Sequence, residues 1–316
     1  MVLESTRAGL YAAWRARGVS INFTVHDLLP VLRPEFFPPH ADRSHAAWLE
    51  CVAAEADRLI CVSRAVRDDL AAWLAAHDVA RRPGQLLTAL HSGADLEVKA
   101  TASAAAAPSA LAQQLAARPT FLMVGTIEPR KGHLQALEAF EQLWADGLDA
   151  NLVIVGREGW TQLADAERRT LPRIVARLRA SPELGRRLLW LEGLDDDALQ
   201  QVYQSSSCLL FPSEGEGFGL PLIEAAQYGL PLLARDIPVF REVAGAGAHY
   251  FAGLDGASLA GAVREWLALH AEGRHPSSQA MTWMTWQEQA RALLALLSAP
   301  HAAAATATAA AAERGE

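Results

Sequence analysis

Two carboxylates eight residues apart, Glu216 and Glu224, frame the segment Glu214-Gly215-Glu216-Gly217-Phe218-Gly219-Leu220-Pro221-Leu222-Ile223-Glu224. A carboxylate accepts hydroxyl protons and repels oxyanions, so this pair, set among glycines, suits a polyhydroxylated ligand better than a bare phosphate. A second segment carries the opposite charge. In Gly125-Thr126-Ile127-Glu128-Pro129-Arg130-Lys131-Gly132, two adjacent cations stand just ahead of an apolar-periodic run from His133 to Leu143. Cations beside free helix amides converge on an anion, and a diphosphate is the natural guest. An isolated Arg-Lys pair more often solvates a loop; the glycine segment farther along the same domain favours the ligand. Neither segment is a Walker A or a GxGxxG fingerprint, so neither NTP hydrolysis nor dinucleotide binding follows.

Both segments sit where a strand gives way to a helix. The apolar run Phe121 to Val124 precedes the first, and Cys208 to Phe211, bounded by Pro212, precedes the second. The latter leads into Leu220 to Tyr228, a small-residue helix closed by Gly229 and followed by Pro231. Further strand candidates are Ile21 to Val25, Leu59 to Val62, Leu86 to Leu90, Leu152 to Val155, Leu188 to Leu191, Pro231 to Ala234 and His249 to Phe251. Helical segments fill the gaps, and such alternation predicts α/β with mostly parallel sheets. The expected organisation is a partial N-terminal Rossmann-like domain over 1–98 and a linker with a short helix over 99–119. A complete doubly wound domain over 120–299 follows, its final helix crossing back, and then an alanine-rich disordered tail over 300–316.

Composition narrows the function classes. The chain has 316 residues, 51% hydrophobic and 20% charged, which is ordinary for a globular protein of about two domains. Its net charge of −8 argues against a nucleic-acid surface. Cys51, Cys61 and Cys208 show no metal spacing and read as buried thiols in a reducing compartment. No signal peptide or membrane-spanning run is evident, so the expectation is a cytoplasmic chain with room for peripheral contact at the inner membrane face.

The residues from Glu216 through Ala225 resemble the E-x7-E motif of family-4 retaining glycosyltransferases of the GT-B fold. The neighbouring segments agree: Gly125 to Lys131, Val155-Gly156-Arg157-Glu158-Gly159-Trp160, and Ala234-Arg235-Asp236-Ile237-Pro238-Val239-Phe240-Arg241-Glu242-Val243 all look like the bacterial mannosyltransferase branch that builds O-antigen polysaccharides. The resemblance spans roughly residues 21 to 297. It implies a GT-B-like fold of two Rossmann-like domains, the first of them incomplete here, because nothing before Ile21 supplies its remaining βα units. A truncated paralogue without activity, or a missing half supplied by another chain, would account for that shortfall.

The resemblance also implies roles. Glu224 would bind the ribose of a sugar nucleotide, the amides around Gly217, Phe218, Gly219 and Leu220 would face the donor sugar, and Glu216 would lie at the reacting hexose. Gly125, Thr126, Arg130 and Lys131 would hold the diphosphate and offset charge on the departing nucleotide without a metal. Thr126 stands where many relatives carry arginine, which leaves more of that work to Arg130 and Lys131. His26, in Thr24-Val25-His26-Asp27-Leu28-Leu29-Pro30, matches the histidine that faces the donor sugar, with Asp27 as its orienter; a loop tie involving Arg33 is the structural alternative. The implied reaction moves a hexose, mannose from GDP-mannose favoured, to a glycan or lipid-linked acceptor, with no cofactor. A non-catalytic sugar-nucleotide-binding module stays open, as does a weaker alternative, a GT-B epimerase, which would need N-terminal carboxylates that are not found.

Other conspicuous residues point to structure. Asp195-Asp196-Asp197 reads as an N-cap cluster. Trp160 is expected to be packed, and Trp283 and Trp286, with the Leu293, Leu294 and Leu297 stripe, to belong to a helix packed by its apolar face. His40, His45, His91, His133 and His249 are expected on the surface or in loops.

Overall fold

The apolar runs become nine strands in the computed structural model, which describes residues 9–95 and 109–299. Strand ends fall within one residue of those expected. The strands are short; those at 58–61, 120–124, 151–155, 208–211 and 232–235 are buried on both faces, as parallel strands covered by helices must be, while 22–25 and 86–89 stay partly exposed. Residues 99–108 of the expected linker and the expected tail from 300 lie outside the described residues.

Toward the N-terminus the order is α1 (Leu10–Ala16), β1 (Asn22–Val25), α2 (Leu29–Leu32), α3 (Ala41–Glu55), β2 (Arg58–Cys61), α4 (Arg64–Ala76) and β3 (Leu86–Ala89). These strands form a three-stranded parallel sheet, β1-β2-β3, with Val25 opposite Cys61 and Cys61 opposite Ala89. The buried carboxylate of Asp57 ties the sheet's entry together: it takes the Ile21 N–H at 2.7 Å and a guanidinium nitrogen of Arg82 at 2.8 Å.

The second unit runs α5 (Ala110–Ala116), β4 (Thr120–Val124), α6 (His133–Ala145), β5 (Asn151–Val155), α7 (Leu171–Ala180), β6 (Leu188–Leu191), α8 (Asp196–Ser205), β7 (Cys208–Phe211), α9 (Leu220–Gln227), β8 (Leu232–Arg235), α10 (Pro238–Ala244), β9 (Ala248–Phe251) and α11 (Gly256–Ala271). Its six parallel strands lie in the order β6-β5-β4-β7-β8-β9. Chain order reverses between β4 and β7, which pair at Phe121–Cys208 and Leu122–Leu209. That is the switch point of a doubly wound sheet, where the connections part to opposite faces and open a crevice at the strands' carboxyl ends. One core cluster, including Phe121, Phe140, Leu152, Ile174, Leu210, Leu233 and Trp266, is buried between the sheet and its helices. Asp195 caps α8 by accepting the Ala198 N–H at 2.8 Å, as the triple-aspartate pattern predicts.

Contacts divide the chain into one unit of residues up to Pro34, Pro39–Gly93 and Met284 onward, and another of Glu35–Pro38 and Ala94–Trp283. The last helix, α12 (Trp286–Ser298), therefore groups with the N-terminal strands. It opens on a Thr285–Glu288 capping box and meets Gly93 at the Trp286 backbone. Its expected buried stripe does not form. Trp286, Leu294 and Leu297 are exposed because the helix makes its close approach through backbone, at a glycine, and not through its leucines. Among the described residues, no helix is long and apolar enough to cross a membrane.

Candidate functional site

The two sequence segments of opposite charge become the two loops at the switch point. One follows β4 and the other follows β7, and because these strands are neighbours the loops meet. Gly125 leaves β4 with φ of 137°, a conformation that side-chain-bearing residues rarely adopt. The chain then makes a 3-10 turn over Pro129–Lys131 and enters α6 through Gly132. From the other side, Glu214 donates its N–H to the Arg130 carbonyl at 2.8 Å. Gly219, in the left-handed region at φ 98°, turns the second loop into α9; a Cβ there would crowd Phe240 and Phe211.

Three charged side chains close the junction. Glu216 Oε1 accepts from Lys131 Nζ at 2.6 Å, and Oε2 pairs with Arg130 Nη1, also at 2.6 Å. Arg130 further donates to the Gly215 carbonyl at 3.0 Å and pairs with Glu128 at 3.1 Å. The Glu216 side chain is only 9% exposed. Burial alone drives its pKa up, but Lys131 and Arg130 outweigh that cost and hold the carboxyl below its ordinary value. It is a buried carboxylate that its two cations hold ionised at neutral pH.

Glu224, one element further on, lives differently. Its Oε2 accepts the Tyr203 hydroxyl at 2.7 Å, and Tyr203 stacks on Tyr228 with ring centroids 5.2 Å apart. Burial raises the Glu224 pKa, and neither the Tyr203 hydrogen bond nor the more distant charge of Lys131 cancels that rise. The Tyr203 hydroxyl is itself pushed well up by burial and by Glu224, so it stays a donor.

The structure thus joins Arg130, Lys131 and Glu216 in one cluster, with Gly217, Phe218, Gly219 and Leu220 carrying the chain from Glu216 into α9 and Glu224. Gly125 and Thr126 border the cluster, and a Cβ on Gly125 would stand 3.6 Å from Lys131 Nζ. His26 lies in the N-terminal unit, exposed at the end of β1. Asp27, expected as its orienter, accepts the Leu29 N–H at 2.9 Å, which is the geometry of a loop tie. Its carbonyl accepts from His45 Nε2 at 3.1 Å, and burial holds the His45 ring toward the neutral form.

One expectation needs correction and two partners went unforeseen. His133 is not a surface residue: it is buried in the first turn of α6, where burial lowers its pKa to about 4. A histidine just past a glycine-closed turn reads as exposed, but here α6 packs that turn into the core. Trp160 packs onto the core edge as expected. Tyr203 carries no local signal, because α8 and α9 are brought together by the sheet and not by sequence spacing. Glu128 as a third ligand to Arg130 was visible only as part of a motif.

Residues 112–282 match the family described as glycosyl transferases group 1. The chain belongs to that family. It is 46% identical over 283 residues to the serotype-specific mannosyltransferase WbdA of Escherichia coli, covering 89% of this chain and 34% of that protein. It is 34% identical over 131 residues to the O-antigen chain mannosyltransferase RfbU of Salmonella typhimurium, covering 41% and 33%. The chain spans about a third of the length of these two relatives. Among solved structures, Anabaena HepE in complex with UDP and glucose superposes with a TM-score of 0.67 at 17% identity, over 92% of this chain and 74% of that one. A sucrose-phosphate synthase from Thermosynechococcus elongatus gives 0.64 at 24%, over 90% and 70%. The parallel-sheet architecture is therefore that of the GT-B glycosyltransferases.

Proposed function

We propose that this chain binds a sugar nucleotide at the β4–β7 switch point and transfers its hexose, mannose from GDP-mannose, to a glycan or lipid-linked acceptor with retention at the anomeric carbon. The observation that carries this reading is the Arg130–Glu216–Lys131 cluster on two loops at the carboxyl ends of adjacent strands. Arg130 and Lys131 hold the diphosphate. Glu224 accepts the ribose hydroxyls, and the Gly217–Phe218–Gly219 backbone lies along the hexose. In the reaction the bond from the anomeric carbon to the diphosphate breaks, its electron pair leaving with the phosphate oxygen, and the acceptor hydroxyl oxygen forms its bond on the same face as its proton passes to the departing diphosphate. Charge then gathers on the departing nucleotide, and two fixed cations stabilise that charge more than they stabilise the bound donor. Relatives named as mannosyltransferases favour mannose. His26 is the N-terminal unit's candidate for the sugar, on resemblance alone.

Calorimetry with GDP, UDP and ADP, joined to transfer of labelled mannose from GDP-mannose to an oligomannoside, tests this. The expected result is selective GDP binding, and transfer that Glu216→Ala abolishes. Binding without turnover in the wild type would leave a sugar-nucleotide-binding module, and no binding would overturn the whole reading. Loss of transfer with retained GDP affinity in His26→Ala is the outcome that includes the N-terminal unit in catalysis.

A further inference from the structure

Between the two donor loops lies one backbone oxygen that a buried arginine grips. Arg235, the last residue of β8, is 5% exposed. Its Nε and one Nη donate to the Pro212 carbonyl at 3.0 and 2.9 Å, and the same guanidinium donates to the Gly253 carbonyl and to Gln135 Oε1. Its flat face rests 5.1 Å from the Phe251 ring centroid. Gln135 lies in the first turn of α6, and its Nε2 donates to the Gly253 and Asp255 carbonyls at 3.2 and 2.8 Å. On its far side the Pro212 carbonyl faces Gly132, where a Cβ would stand 2.5 Å from the oxygen. Pro212 opens the loop that bears Glu216, and Gly132 closes the turn that bears Arg130 and Lys131. The oxygen is therefore a wedge between the loops, and Arg235 fixes it.

We propose that Arg235 is a positioning residue for the diphosphate cradle. By holding Pro212 and Gln135 together it keeps the Arg130–Lys131 turn against the Glu216 loop, so that both cations meet the phosphates at a set separation. A guanidinium suits the task because its planar fork delivers parallel donors to one oxygen and others to neighbours, which an ammonium cannot do. The clamp itself is geometry; its ligand rests on the sugar-nucleotide reading.

Arg235→Lys and Arg235→Met test the clamp without any ligand. In hydrogen exchange the amides of residues 130–132 and 213–216 are expected to open roughly tenfold faster, with β4 and β5 unchanged. Unchanged loops, or equal acceleration in β4 and β5, would overturn the proposal, the second because Arg235 would then merely support the fold. The ligand arm compares GDP with GMP. The preference for the diphosphate is expected to fall about tenfold in Arg235→Lys, and Lys131→Ala to cost less in the Arg235→Met background than alone. Faster loops with an unchanged preference would detach Arg235 from the phosphates and overturn its role. Wild type that binds no nucleotide, with the loops opening as expected, would sink the proposed function and leave the clamp standing.

Discussion

Glu216 and Glu224 leave the same strand-to-helix junction, yet their carboxyls are pushed in opposite directions. Burial raises both. At Glu216 two cations in direct contact reverse the effect; at Glu224 a tyrosine hydroxyl and the more distant Lys131 do not. Because Coulomb energy falls with distance while desolvation acts on each group by itself, Lys131, together with Arg130, reverses the shift in the first case and only moderates it in the second. The junction thus carries an anion that occupies the cations and, one helical turn into α9, a hydrogen-bonding carboxyl whose pKa burial raises. On the proposed function they would serve different parts of one ligand.

The comparison breaks most visibly at Glu216. If its carboxylate stands where phosphate oxygens will sit, Glu216→Gln frees Arg130 and Lys131, and nucleoside-diphosphate binding tightens by about tenfold. If Glu216 lies beside the reacting hexose, transfer falls by roughly 100-fold as that group loses its charge. Calorimetry and a labelled-donor assay read the two effects separately. Unchanged binding would mean that Glu216 does not compete with the diphosphate and that the cations reach it along another line.

Lys131→Ala acts in the opposite direction. One charge-assisted contact to the diphosphate disappears, so affinity weakens by about 1.5–3 kcal/mol. A variant that binds the donor as wild type does would move the phosphates away from this loop.

The elements behind this contrast, though not the contrast itself, could be read from the sequence. The nine strands were marked by apolar runs between glycine and proline punctuation, and the charged residues of both loops by their place at strand ends. What could not be read was how closely the loops meet. Sequence analysis set Glu216 at the sugar and Arg130 and Lys131 at the phosphates as two ends of a site, and pairing of β4 with β7 merges those ends into one ion-paired cluster. The same holds for Tyr203 and His133. Their environments come from helices docking on a sheet, which no spacing within one helix reports. The leucine stripe of α12 fails for a related reason: periodicity shows that a helix has an apolar face, not that something covers it.

Acid separates the two carboxyls further. Glu216 has a folded pKa below 4.5, so its contribution to stability is present above that value and is lost as pH falls through the lower folded one. Glu224 is raised above 4.5, so its contribution is present below 4.5 and is lost as pH rises through the folded value. Melting temperatures followed over about pH 3 to 7 should therefore show that Glu216→Gln removes stability at neutral pH and flattens the acid limb. Glu224→Gln should be neutral or stabilising there. Equal behaviour of the two variants would erase the distinction.

The smallest effect is expected at Tyr203. Its hydroxyl is the one polar contact that lowers the Glu224 pKa by direct hydrogen bonding, while its ring carries the stack on Tyr228. Tyr203→Phe keeps the ring and deletes the donor, so the fold should lose only about 1 kcal/mol. Without that donor the ionised form of Glu224 is less favoured, and the carboxyl rises further. Nucleotide affinity measured against pH should then begin to change at higher pH than in wild type, with the phosphate contribution at Arg130 and Lys131 untouched. If instead the whole profile weakens uniformly, Tyr203 supports the loop and not the charge state of Glu224, and the two glutamates differ through burial and distance from Lys131 alone.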